Sequence, residues 1–348
     1  MNAYSYDNLK RILSTARGQR LVSQIKEGYR ELFEGKPIER ATYADFMYIF
    51  EKNGDIDARI ALWEKAYAEF AGKDRVLFSR AGYLGAQTTP MHWAGDQKSK
   101  FSELQSVLKA GLSLSLSGVP FWSFDIGGFA GPMPTKELYL RSTALAAFVP
   151  AMQWHSEPAS GQFAEIMKGT IAVNDRSPWN MAEYCGDDNE ILEVATYFAN
   201  IHMNFLPYFY EEAKKCAKER TPFMKHLYLE YPHDKNVWKC EDTYMVGELL
   251  IAPVISEGDM GRKVYLPKGM WYNFWDGSKI MGEQEIYADA PYNKIPLFVR
   301  EGAMLTLNLG KNGKVGATVG NDIENTDNYV TVVYDETFSA EEYCRKLF

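Results

Sequence analysis

Apolar residues recur every three to four positions at Leu9, Ile12, Leu13 and Ala16, and again at Val22, Ile25, Tyr29 and Leu32. That spacing predicts one or two amphipathic helices, which Gly35 and Pro37 stop. The aromatic-rich run "TYADFMYIF" (42–50) then has strand length, and helix returns at "IDARIALWEKAYAEFAG". From there the pattern alternates. The strand-like runs "DRVLFSR" (74–80), "VPFWSFDIGGF" (119–129), "VPAMQWHSEP" (149–158) and "YMVGELLIAPV" (244–254) are separated by helical stretches. Those stretches are "FSELQSVLKAGLSLSLSG", "TKELYLRSTALAAF" and the segment 188–219. Buried strands alternating with helices predict a parallel α/β sheet, and sites in such folds sit at the C-terminal strand ends. The polar residues at those ends are Arg80, Asp125 and His155. After about residue 255 the texture becomes short alternating runs cut by turns, as in "RKVYLPKGMWYNFWDGS", which predicts a separate antiparallel β unit.

Composition narrows the partner. With 348 residues, 46% hydrophobic and 24% charged, the chain reads as globular, and a formal net charge of -8 offers no basic footprint for nucleic acid or an anionic membrane. A small neutral ligand is expected instead. Cys185, Cys216, Cys240 and Cys344 form no C-x-x-C pair, so neither a zinc site nor a disulfide framework is indicated, which suits a reducing cytoplasm. The polar, basic start "MNAYSYDNLKRILSTARGQR" has no apolar core of a signal peptide, and no stretch reaches the ~18 apolar residues of a membrane span.

Taken singly, the polar residues have plain structural readings. Asp96, in the Gly-containing loop "MHWAGDQKSKF" (91–101), reads as a turn or N-cap residue, and Asp125 before Gly127 and Gly128 as part of a tight strand-to-helix turn. Arg80 and His155 read as ion-paired or hydrogen-bonded positions, and Trp93, Trp122 and Phe129 as core. Together they say more. Arg, Asp and His at successive strand ends, with aromatic neighbours, suit a neutral polyhydroxylated ligand.

The ordered segments "VLFSRAGYLGAQTTPMHWAGD", "SGVPFWSFDIGGFAG" and "MQWHSEP" resemble glycoside hydrolase family 31, the retaining α-glucosidases and α-xylosidases. The resemblance runs from about residue 55 to about 335, through "YMVGELLIAPV" and "VYLPKGMWYNFWDG", which are similar to the family's last barrel strand and following β-sandwich. It implies that Asp96 of "HWAGD" is the general acid/base and that Trp93 walls the sugar site. It also implies that Asp125 and Phe129 of "FDIGGF" line the pocket for the sugar ring, and that Arg80 and His155 hydrogen-bond hydroxyls and the nucleophile. Where the family commonly has Arg-Asn before that His, this chain has Gln153 and Trp154. The substrate implied is an α-linked oligosaccharide or glycoside, hydrolysed with no metal and no organic cofactor.

A retaining glycosidase needs a second carboxylate ~5 to 5.5 Å from the acid. The family carries it in a motif resembling Lys-Thr-Asp-x-Gly-Glu upstream of the "FSR" strand, and residues 20–60 hold no such motif. Asp45 in "YADFM" is the candidate by position, with other neighbours. The expected architecture is therefore an N-terminal helical segment (1–40), a partial (β/α)8 TIM-type barrel, its second half (41–255), and a small antiparallel β-sandwich domain (256–348). Such a chain is expected to be a C-terminal piece of the family's fold that is either partly open with low stability or associates with itself or a partner chain that completes the barrel, its glycosidase activity alone weak or absent. The alternative is a vestigial, non-catalytic carbohydrate-binding protein lacking the nucleophile.

Overall fold

The computed structural model describes residues 78–80, 87, 89, 91–156, 175–186, 188–320, 323 and 325–348. Asp45 and the amphipathic segment 5–34 lie outside the described residues. The chain divides into two compact units, residues 1–92 and 93–348. β1 (Phe78–Ser79) pairs in parallel with the first two residues of β2 (Met91–Trp93), Phe78 opposite Met91 and Ser79 opposite His92, both pairs within the first unit.

The second unit opens with strand–helix alternation. α1 (Phe101–Leu116) buries Leu104, Val107, Leu108, Leu112 and Ser115, a stripe at helical spacing that faces the core. Gly111 lies on the same stripe because Trp122 of β3 (Trp122–Ser123) crosses the helix there. A Cβ at 111 would stand 2.1 Å from the indole. α2 (Lys136–Ala146) starts at Thr135, whose hydroxyl accepts the Leu138 N–H at 3.3 Å. Every residue from Leu138 to Ala146 is buried, so α2 is a core helix rather than an amphipathic one.

α3 (Pro178–Tyr184) begins with proline, whose fixed φ and missing N–H suit a first helical position. α4 (Asn189–Glu219) is the longest element, 31 residues, N-capped by Asp188, which accepts the Glu190 N–H. Its buried line of Ile191, Val194, Phe198, Ile201, Phe205 and Phe209 keeps the 3.6-residue period that the sequence displays. It ends at Arg220, in the left-handed region at φ 60°.

β4 (Lys225–His226) and the single turn α5 (Leu227–Glu230) follow, then β5 (Tyr244–Val246) and β6 (Leu249–Ile251). After them come β7 (Gly261–Leu266), β8 (Met270–Asn273), β9 (Lys279–Met281), β10 (Gln284–Asp289), β11 (Leu297–Arg300), β12 (Met304–Asn308) and β13 (Tyr329–Val333). The principal sheet has the order β4-β5-β6-β11-β8-β9 and is antiparallel throughout. β7 pairs with β10 and β12 with β13, also antiparallel.

The run 244–254, expected as a parallel barrel strand, is instead the β5–β6 hairpin of this sheet, with Tyr244 opposite Ile251 and Val246 opposite Leu249. The reason is burial on both faces. Tyr244, Val246, Leu249, Ile251, Leu297 and Val299 join the core that also contains Phe198, Phe205 and Phe209 of α4. The alternate residues Met245, Leu250, Phe298 and Trp271 join a second core with Val264 and Leu266 of β7. A strand buried on both sides reads as a continuous apolar run whichever way its neighbours point. The chain closes on α6 (Ala340–Leu347), a helix the β-sandwich expectation did not include, which buries Tyr343 and Leu347. No helix among the described residues is long and apolar enough to cross a membrane.

Candidate active site

Trp93 closes β2, and the chain then turns through Gly95 at φ 86°. The Ala94 N–H bonds to the Ser123 carbonyl at 3.0 Å, which aligns this loop with the end of β3. Asp96 follows as a half-buried residue in a bend. Next to it Gln97 is buried. Its carbonyl accepts the Phe129 and Ala130 N–H groups at 2.8 and 3.0 Å, and its side-chain amide donates to the Asp125 carbonyl at 3.1 Å. The loop carrying Asp96 is therefore stitched to the segment 123–130 on both sides.

Asp125 is the hub. It is wholly buried, 0% exposed, and both carboxylate oxygens are engaged: Trp93 Nε1 donates to Oδ2 at 2.7 Å and Gln153 Nε2 donates to Oδ1 at 2.9 Å. Its backbone forms a parallel bridge with Gln153, reinforced by the Ile126 N–H on the Gln153 carbonyl at 3.0 Å. Burial pushes the Asp125 carboxyl up to about 7, against the two N–H bonds, which favour the ionised form. The negative charge of Asp96 pushes the same way as burial, and Arg176 opposes it. Desolvation outweighs both hydrogen bonds here.

The glycines after Asp125 let the chain turn back. Gly128, at φ 90°, packs so close that a Cβ would stand 2.9 Å from the Ser99 backbone. Phe129 comes next and presents its ring between two others, 6.5 Å from Trp93 and 5.8 Å from His155, both edge-on. His155 is exposed, and Gln153 and Phe129 are half-buried. Behind this wall lies Arg176, 0% exposed. It donates to the carbonyls of Phe129, Gly131 and Pro132 at 3.0, 2.9 and 3.2 Å and to the Ser99 hydroxyl.

Of the residues expected from sequence, Trp93, Asp96, Asp125, Phe129 and His155 thus come together in the second unit. Arg80 follows β1 in the first unit and is exposed. Sequence reasoning overlooked Gln97 and Arg176, and it noted Gln153 only as a departure from the family's pattern. Gln97 could have been suspected from its place beside Asp96. Nothing in "NDRSPWN" singles out Arg176, whose partners are 44 to 77 residues away. The arrangement can present a half-exposed carboxyl beside an aromatic wall, with a proton-holding buried carboxyl behind it. It suits proton transfer to a neutral ring-shaped ligand.

Two family models match the chain: the glycosyl hydrolases family 31 TIM-barrel domain over residues 49–212 and the family 31 C-terminal domain over residues 220–305. The chain is 42% identical over 275 residues to an isomaltosyltransferase of Sporosarcina globispora, covering 78% of this chain and 24% of that protein. It is 34% identical to a 1,3-alpha-isomaltosidase of Kribbella flavida, over 75% of this chain and 36% of that one. Among solved structures it is similar to a cycloalternan-forming enzyme from Listeria monocytogenes in complex with a pentasaccharide substrate. The TM-score is 0.73 at 38% identity, over 80% of this chain and 25% of that one. The chain thus spans about a quarter to a third of the length of these relatives.

Proposed function

The chain belongs to glycoside hydrolase family 31, and from that membership we propose that its site takes an α-linked oligosaccharide and opens the glycosidic bond with retention, Asp96 serving as general acid and then general base. The observation that carries this reading is the buried Asp125 carboxylate. It grips Trp93 of "HWAGD" and Gln153 of "QWH" at once, so the two sugar-site motifs meet at one point.

In the first step the Asp96 carboxyl gives its proton to the glycosidic oxygen as the bond from C1 to that oxygen breaks. A carboxylate on the opposite side of the ring forms a bond to C1. In the second step Asp96 takes a proton from an incoming hydroxyl, whose oxygen bonds to C1 and releases the carboxylate. That hydroxyl is water in hydrolysis. Similarity to an isomaltosyltransferase and a cycloalternan-forming enzyme supports a sugar hydroxyl as a second acceptor. Asp45 is the candidate for the attacking carboxylate and lies outside the described residues. Trp93 and Phe129 wall the ring, His155 bonds its hydroxyls, and Asp125 shapes the pocket from behind Trp93 and Gln153.

We read the strand–helix units through α4 as the second half of a (β/α)8 barrel, with the C-terminal β domain starting by Lys225, where the antiparallel sheet begins. The four cysteines are free thiols, which supports a reducing, cytoplasmic setting.

Asp96→Asn tests the reading. Turnover of unactivated α-glycosides should fall by about 10²- to 10⁴-fold, while aryl α-glucosides with good leaving groups keep most of theirs, because such groups depart without a proton. Equal loss on both, or none on either, would refute the role of Asp96. A wild-type chain that binds sugar without turning it over would favour the non-catalytic alternative.

A further inference from the structure

We propose that Trp154 and Trp179 form a stacking platform for one pyranose ring of the oligosaccharide, outside the pocket that holds the reacting sugar. The inference rests on the reading of the site as an α-glycoside site. The two indoles meet edge-to-face, centroids 6.0 Å apart and planes at 89°, and both stand in solvent, 40% and 59% exposed. Paired exposed aromatic rings of this kind offer a contiguous apolar surface that a sugar ring can cover.

What identifies the occupant is how the pair is mounted. Trp154 sits one residue, about 3.8 Å along the chain, from Gln153, whose amide holds Asp125. Trp179 is the second residue of α3. The start of that helix is set by Asp175, which accepts the Ser177 N–H at 2.9 Å and Asn180 Nδ2 at 2.8 Å. Between them Arg176 is sunk among the carbonyls of Phe129, Gly131 and Pro132. Trp154 thus adjoins Gln153 in the chain and Trp179 follows Arg176 by three residues, so the pair is mounted on segments whose neighbouring residues build the sugar pocket.

Successive side chains of an extended segment point to opposite sides. The contacts divide the same way: Gln153 engages Asp125 and His155 the Phe129 ring, while Trp154 meets Trp179, so its ring serves a sugar beyond the pocket rather than the one inside it. Aromatic faces carry negative potential, which matches the positive C–H face of a pyranose and leaves its hydroxyls in water. A neutral ring in a chain of sugars fits this corner, and no charge is required of it.

The test is calorimetric titration of the full chain with glucose and with isomaltotriose, for wild type, Trp154→Ala, Trp179→Ala and the two Trp→Phe variants. Each alanine variant should bind isomaltotriose about tenfold more weakly, near the upper end of one ring contact. Each phenylalanine variant should recover most of that, and glucose affinity should be unchanged. Isomaltotriose affinity within twofold of wild type in both alanine variants would overturn the platform, as would an equal loss of glucose binding. His155→Ala runs in parallel: glucose binding that survives it sinks the reading of the pocket while the tryptophan result still decides the platform. A wild-type chain that binds neither sugar overturns both.

Discussion

Replacing Asp125 with asparagine isolates the ionisation of the buried hub from its shape. The asparagine Oδ1 can still accept the Trp93 N–H, and a flip of the Gln153 amide lets its Oε1 accept from Nδ2, so the packing of the site is kept. What disappears is a carboxyl raised from its ordinary 3.8 to about 7. Below the unfolded value both states hold the proton, and the aspartic acid contributes fully to stability. Between about 4 and 7 the unfolded chain ionises while the folded chain keeps its proton, so stability is lost as pH rises through that window. Three pKa units at 1.36 kcal/mol each correspond to on the order of 4 kcal/mol. His202 and His226, whose imidazoles burial holds below their usual range, act in the opposite sense and lose stability as pH falls. The difference between wild type and variant cancels them. Urea unfolding of both proteins from pH 4 to pH 8 is the assay. Asp125→Asn should be close to wild type near pH 4 and gain on it progressively to about pH 7, then run parallel. A difference that stays flat across the range would refute the raised carboxyl and with it the account of desolvation prevailing over two hydrogen bonds.

Arg176→Met should cost about 3 kcal/mol or more in urea unfolding, because three carbonyls lose their donor in a buried place, and it should weaken glucose binding by loosening Phe129. A loss under about 1 kcal/mol would show that Arg176 is dispensable. Gly111→Ala sets helix propensity against packing. Alanine favours the helix by about 1 kcal/mol, but its Cβ meets Trp122 at 2.1 Å, so a net fall in Tm is expected. A raised Tm would mean that the indole gives way at little cost.

The helices were legible because their information is local. The stripe of α1, the helix-forming run of α2 and the 31-residue line of α4 are signals of a single segment, and each forms where the sequence places it. The motif order was legible too, since "HWAGD", "FDIGGF" and "QWH" are read along the chain and Trp93, Asp125, Phe129 and His155 assemble from them. The partner on each face was not. The run 244–254 carries apolar residues on both sides, and only the pairing of β6 with β11, 46 or more residues onward, makes it antiparallel sheet rather than barrel strand. Asp125 shows the same division at one residue. Its place at a strand end is written in the sequence. Its complete burial, its two N–H donors from 32 residues before and 28 after, and the proton it therefore keeps to about 7 arise only when distant segments close over it, because desolvation is a property of the surroundings and not of the residue.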